Sequence, residues 1–389
     1  MYNRFNGWKF RLLILLLVTG AVFAQKKTAK DESAYKFTVK YEVKRTPVKN
    51  QYRTGTCWCF STISFIESEV LRKGGDEVDL SEMYVVRHAY RHKAENYIRL
   101  HGNATFGQGG QSHDVIEQIA RYGIVPENIY TGMRIGEKKH NHGEMATVLK
   151  AILDGVLKGG SRLTPRWMDA FEAVLDVYLG KVPTRFEYKG KSFTPKSFAT
   201  DYLKINPDDY IELTSYTHHP FYKQCRLEVP DNWTFNDQYY NVPLNDLERI
   251  VDNALKNGYS VVWDGDVSER EFSSKRGYAI VPAKDWEEKT RAERQKEITG
   301  PVEEKEITQE FRQKTFDNFT TTDDHLMHIV GIAYDQKGRK FYLTKNSGGT
   351  ETKYKGYVYL SRSYFRLKTI AIMIHREALP PDIKKKLNL

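Results

Sequence analysis

The chain has 389 residues, 40% of them hydrophobic and 13% aromatic, which is enough for a substantial core and two subdomains and excludes a disordered tail. Three cysteines are too few for a disulfide scaffold, and no set of Cys and His has zinc-finger spacing, so neither a metal nor a cofactor is expected. The net charge of +10 points first to nucleic acid, yet the 60 basic residues form no single stripe, and no nucleic-acid partner is expected.

In chain order, a basic start with Arg4, Lys9 and Arg11 precedes an apolar run from Leu12 to Val18 and then Ala21-Val22-Phe23-Ala24 before Gln25. That order describes a signal peptide over residues 1–24, with the mature chain exported to a periplasmic or extracellular space. Its removal leaves 365 residues and, with three basic residues lost and no acid, lowers the charge from +10 to +7. No other apolar stretch is long enough to span a bilayer, so no membrane contact is expected after removal.

Residues 25–43 read as a polar tether. From Cys57 onward Phe60, Ile63, Ile66 and Val70 recur at steps of three and four until Gly74-Gly75, which predicts a helix whose first turn holds Cys57. A second helix covers His113 to Tyr122 and stops at Gly123. The block 134–205 reads as a helical insertion, with Trp167, Phe171, Leu175 and Tyr178 on one face and Thr164-Pro165 and Thr194-Pro195 as helix starts. Strand character begins at Tyr210–Tyr216, one more helix spans Pro243–Asn257, and Tyr259–Trp263 is a strand. Residues 283–319 are dense in both charges and read as a solvated excursion with some helix. A hairpin follows, His328–Tyr334 and Arg339–Lys345 across Asp335-Gln336-Lys337-Gly338, and then strands at Gly356–Leu360 and Lys368–His375. The expected class is α+β, helical first and mostly strand afterwards, in two subdomains with a cleft between them: a left part 44–133, the insertion, a right part 206–375 and a tail 376–389.

Export exposes thiols to oxidation, and Cys57, Cys59 and Cys225 are an odd set, so at least one sulfur is free, shared with another chain or functional. A nucleophilic thiolate needs a lowered pKa, which the unpaired N–H groups and dipole of a helix's first turn supply. Cys57 occupies that turn, with Gly55 to bend the entering loop and the Gln51 amide six residues upstream as a donor. Cys59 is two positions further, about 200° around the helix, so the two sulfurs cannot easily share a metal and Cys59 reads as core. Two histidine pairs, His140 with His142 and His218 with His219, could start a metal-dependent hydrolase, but neither has a recognisable third ligand.

Gln51 followed by Gly55-Thr56-Cys57-Trp58-Cys59-Phe60-Ser61 resembles the active-site segment of the papain superfamily, and Val48-Lys49-Asn50-Gln51 is closer to its bleomycin hydrolase and aminopeptidase C branch. Asp324-His325-Leu326-Met327-His328-Ile329-Val330-Gly331 is similar to that family's histidine motif, and Lys345-Asn346-Ser347-Gly348-Gly349 to its Asn-Ser-Trp-Gly motif. The register favours His325 over His328: an odd offset along a strand puts the two on opposite faces, and His328 reads as packed. Leu80-Ser81-Glu82, Gln108-Gly109-Gly110 and Gly123-Ile124-Val125-Pro126-Glu127 resemble further landmarks, so the resemblance spans roughly residues 44–130 and 205–375.

The resemblance implies a papain-like fold, a helical left domain and an antiparallel barrel-like right domain, and a cysteine peptidase with Cys57, His325 and Asn346 as catalytic residues and Gln51 at the oxyanion. It implies a substrate backbone lying against Gly109 and Gly110, peptides as partners, and aminopeptidase action through the chain's own C-terminal carboxylate in the cleft. Family members form hexameric rings from subunits typically longer than this mature chain, so homo-oligomerisation stays open. Two departures stand out: Thr54 replaces a disulfide cysteine of the papain pattern, and Gly348 replaces the Trp that shields the His–Asn bond. The latter points toward the competing readings, a weakly active or non-hydrolytic peptide-binding protein; an endopeptidase on the same fold is the other. Any intramolecular disulfide is expected between Cys59 and Cys225.

Overall fold

The computed structural model describes residues 34–389 apart from 161, 287, 296, 297 and 299, and the expected signal peptide lies outside them. The helical part comprises α1 (Cys57–Arg72), α2 (Glu82–Arg99), α3 (Ser112–Tyr122), α4 (Gly143–Lys158) and α5 (Arg166–Leu179). The strands are β1 (Thr38–Glu42), β2 (Phe186–Tyr188), β3 (Lys191–Phe193), β4 (Tyr210–Thr214), β5 (Lys223–Cys225), β6 (Tyr239–Asn241), β7 (Val261–Gly265), β8 (Phe272–Ser273), β9 (Tyr278–Ala279), β10 (His325–Tyr334), β11 (Lys340–Lys345), β12 (Tyr357–Ser361) and β13 (Thr369–His375). All but the β2–β3 hairpin join one sheet in the order β5-β6-β4-β13-β7-β10-β11-β12-β9-β8, with β1 paired to β10 off this path. The pairings are antiparallel except β4–β6 and β9–β12, and none among the described residues closes the sheet into a barrel.

Helix α1 is buried on nearly every side because it lies between the other helices and the sheet. Its Ile63, Phe65, Ile66 and Val70 share one core with Met83, Val85, Ile119, Leu149, Phe171 and Phe198, and with Leu326, Val262 and Met373 from the near face of the sheet. The alternate residues Met327, Ile329, Val261 and Trp263 point to the far face, where they meet Leu247 and Ile250 of the helix Leu244–Lys256. The two-residue period of β7 and β10 thus serves both cores at once.

Four expectations need correction. Residues 34–43 are no tether: β1 pairs with the second half of β10, Tyr35 is buried, and Phe37 stacks on Tyr359 at 3.8 Å. The insertion contains the β2–β3 hairpin as well as helices, and it shares the core of α1 instead of forming one of its own. Within the charged excursion, the helix Gln309–Asp317 buries Arg312, whose guanidinium donates to the carbonyls of Ser215 at 2.9 Å and Arg366 at 3.0 Å. The C-terminal tail does not reach the cleft: the helix Pro381–Lys386 places Ile383 and Leu387 in the far-face core, across the sheet from α1, with Asp382 paired to Arg249.

Candidate active site

Cys57 begins α1, where Thr56 supplies no side-chain cap and the first N–H groups stay oriented toward the sulfur end of the helix. Packing fixes this start: Trp58 Nε1 donates to the Gln108 carbonyl at 2.9 Å, and Gly55 N donates to Gln108 Oε1 at 2.8 Å. Cys59 is fully buried with Sγ toward the Glu82 carbonyl at 3.3 Å. All three cysteines are free, and Cys225 packs in a different cluster from Cys59, so the structure holds no disulfide between the two.

His325 opens β10 and its Nε2 bonds Asn346 Oδ1 at 2.8 Å. That bond uses one ring nitrogen and leaves Nδ1 outside it. Asn346 Oδ1 also accepts from Ser347 N at 2.7 Å, and its Nδ2 reaches Ser274 Oγ at 3.4 Å, so the amide cannot flip without losing both. His328 lies on the opposite side of the strand, fully buried, with Nδ1 bonded to Ser64 Oγ at 2.9 Å. It is a packed residue, as the register argument requires.

Gln51 is held by Ser347, which donates its Oγ to Gln51 Oε1 at 2.5 Å, while Gln51 Nε2 donates to the Thr54 carbonyl at 2.7 Å. The second Nε2 hydrogen remains for another acceptor. Gly348 has open space where a Cβ would stand, and a cavity of about 360 Å³ lies against it, lined by Tyr52, Val267, Phe272, His325 and Asn346 among others. The His–Asn bond therefore faces solvent where the resemblance would put an indole.

Burial pushes the Cys57 thiol up to about 11; the amide of Leu326, next to His325, pulls it down, and Asp323 and Asp231 raise it further. Burial also lowers His325, with Asn346 and then Asp324 opposing. Taken singly, each group is neutral at pH 7. Moving the thiol proton to the imidazole adds no net charge to the cleft, and the attraction within the new ion pair offsets the desolvation of its members.

The two glycines have steric explanations. A Cβ on Gly110 would meet Asp114 Oδ2 at 2.7 Å and the Trp58 ring at 3.0 Å, and one on Gly109 would fall 1.9 Å from Asp231 Oδ2. Asp231 was not foreseen, because nothing in the spacing of Pro230-Asp231-Asn232 separates it from an ordinary turn. Of the histidine pairs, His218 and His219 do find a third polar group: their Nε2 atoms lie 3.2 and 2.9 Å from the Glu228 carboxylate. Gln313, oriented by Thr217 N, donates to His218 Nδ1 at 2.9 Å, which leaves the proton on Nε2 to be donated to Glu228.

Residues 184–389 match the Peptidase C1-like family, and residues 35–153 match the papain family cysteine proteases. The chain belongs to the Peptidase C1-like family. Among relatives of this C1-like chain, aminopeptidase G of Lactobacillus delbrueckii subsp. lactis is 22% identical over 386 residues, covering 88% of this chain and 83% of its own. Human bleomycin hydrolase is also 22% identical, over 383 residues, covering 87% and 82%. The fold is that of the crystal structure of PepW from Lactobacillus rhamnosis HN001, with a TM-score of 0.69 at 18% identity over 90% of this chain and 84% of that one.

Proposed function

We propose that this chain is a cysteine aminopeptidase that hydrolyses peptides through Cys57. The observation that carries the reading is the 2.8 Å bond from His325 Nε2 to Asn346 at the start of β10, next to Leu326 whose backbone meets the sulfur of a cysteine at a helix N-terminus, with Nδ1 outside that bond. The Cys57 thiol gives its proton to His325 Nδ1 as sulfur attacks the peptide carbonyl. The oxyanion takes hydrogen bonds from the free Gln51 N–H and the Cys57 backbone N–H. As the C–N bond breaks, His325 returns the proton to the leaving amine, leaving an acyl-thioester on sulfur. Water then attacks the thioester with His325 as base, and the acid departs from a restored thiol.

Aminopeptidase names among the relatives support the exopeptidase form. The tail carboxylate is not its means here, since the tail is docked on the far face. Turnover of a fluorogenic aminoacyl amide with a free amine, against its N-acetylated form, tests the reading: the free form is cleaved at least tenfold faster in kcat/KM, and cleavage of the acetylated form alone would mark an endopeptidase. Export through residues 1–24 belongs to the same proposal, and the N-terminal sequence of secreted material, beginning at Gln25, is its check.

A further inference from the structure

The loop between β5 and β6 leaves the sheet and docks on the helical part. Its Trp233 is buried and donates Nε1 to Asp114 Oδ2 of α3 at 2.8 Å; Asn96 of α2 donates to the Trp233 carbonyl at 2.6 Å; and Thr234 Oγ1 lies 3.1 Å from His113 Nε2. Within the loop, Asn232 Nδ2 spans the carbonyls of Leu227 and Asn236 at 2.9 and 3.0 Å. The result is a fixed strap that sets the Asp231 carboxylate on Gly109, in the place a side chain there would fill. Among the described residues Asp231 makes no hydrogen bond and no ion pair.

Two more carboxylates stand close by. Asp323, two residues before His325, accepts from Gln111 Nε2 at 2.8 Å. Asp264 lies across the strand pair from Leu326; it is 2% exposed, no N–H or hydroxyl donates to it, and its carboxyl is hydrogen-bonded to that of Asp323. It faces Asp323 and the Cys57 sulfur. Lys93 is the nearest ammonium, and its Nζ is engaged by the carbonyls of Gly107 and Gly109. No cationic side chain among the described residues lies within ion-pair distance of the three acids. Burial pushes Asp264 well up, so it shares a proton with Asp323, whereas Asp231 has neither a proton to share nor a cation beside it and calls for a positive charge.

We infer that Asp231, with Asp323 beside it, binds the protonated α-amine of a peptide whose first carbonyl lies at Cys57. This rests on the peptidase reading for where the carbonyl lies, but the amine site itself is read from the acids. An ammonium offers three donors, and one extended residue spans about 3.3–3.6 Å, so the α-amine of the first residue meets the strap while that residue's own carbonyl meets the sulfur. A peptide continuing past its own N-terminus would run into Asp231 on Gly109. Free N-termini are thus selected by attraction, and blocked ones excluded by the strap.

Calorimetry on the Cys57→Ala variant tests this, with leucyl-alanine amide and its N-acetyl form as probes at pH 7. The free amine binds at least tenfold more tightly, and Cys57→Ala/Asp231→Asn brings the two probes within twofold; Asp323→Asn narrows the gap less. Equal binding of the two probes to Cys57→Ala, an undiminished preference after Asp231→Asn, or equal tightening by acetyl-lysine amide would overturn the amine site. Asp231→Asn removes a charge with no partner, so that variant melts no lower than the parent, which shows that any loss is one of binding. Discrimination in binding without any turnover by the unmodified enzyme would refute the peptidase reading and keep the amine site.

Discussion

Asn346 holds His325 by a bond that is half open to solvent, because Gly348 leaves a cavity of about 360 Å³ beside it. Water competing for the same atoms weakens such a bond, and a typical hydrogen bond contributes about 1 kcal/mol, or roughly fivefold in a rate that depends on it. Gly348→Trp has room at its Cβ, and its backbone is not in the left-handed region. The expected outcome is a kcat higher by roughly twofold to tenfold, with Asn346→Ala costing more in that background than in the parent. Steady-state kinetics on the four proteins of the cycle checks it; an unchanged kcat would show that the exposed bond is not limiting. At this scale Cys57, His325, Asn346 and Gln51 were legible, because each stands in a short motif whose chemistry depends on residue type and local spacing. Asp231, Asp264 and Asp323 were not, since their meaning comes from three distant segments converging on one sulfur, and a lone Asp in a turn carries no such mark.

His113 of α3 ties the helical part to β4, with Nδ1 2.8 Å from Glu212 Oε2. Burial works against its charge, but Glu212 and then Asp114 raise it to about 9. A histidine raised in the folded state adds stability that is complete below its unfolded value near 6.5 and is lost as pH rises through about 9. Melting temperature should therefore fall by a few degrees between pH 6.5 and 9.5, and by clearly less in His113→Gln; parallel falls in both proteins would assign the pH dependence elsewhere. The elements themselves were read well where one period dominates, as in α1, observed as Cys57–Arg72, and the β10–β11 hairpin. Strand β1 escaped notice because TVKYE alternates too weakly with lysine and glutamate, and only its partner β10 makes it a strand. The helix Gln309–Asp317 looked solvated because Arg312 is charged; its burial is offset by carbonyls from two other segments, which no local pattern announces.

As a whole, the molecule is one sheet set between two cores, with alternate strand residues serving each and α1 wholly within the near-face core. That arrangement joins His325 to Asn346 with Leu326 against the Cys57 sulfur and sends the C-terminal tail to the opposite face, so the proposed free-amine preference is assigned to the cleft's own walls. The two-part α+β organisation was visible as a helical half followed by a strand half, whereas the strap from β5 to β6 and the shared core of the insertion depend on long-range packing. The central claim is that one of three buried sulfurs does the chemistry. Titration with a limiting thiol alkylator, followed by peptide mapping and residual hydrolysis, tests it most directly. Modification of Cys57 should rise in step with loss of turnover while Cys59 and Cys225 stay unmodified. Full turnover from protein alkylated at Cys57, or from Cys57→Ala, would contradict the account.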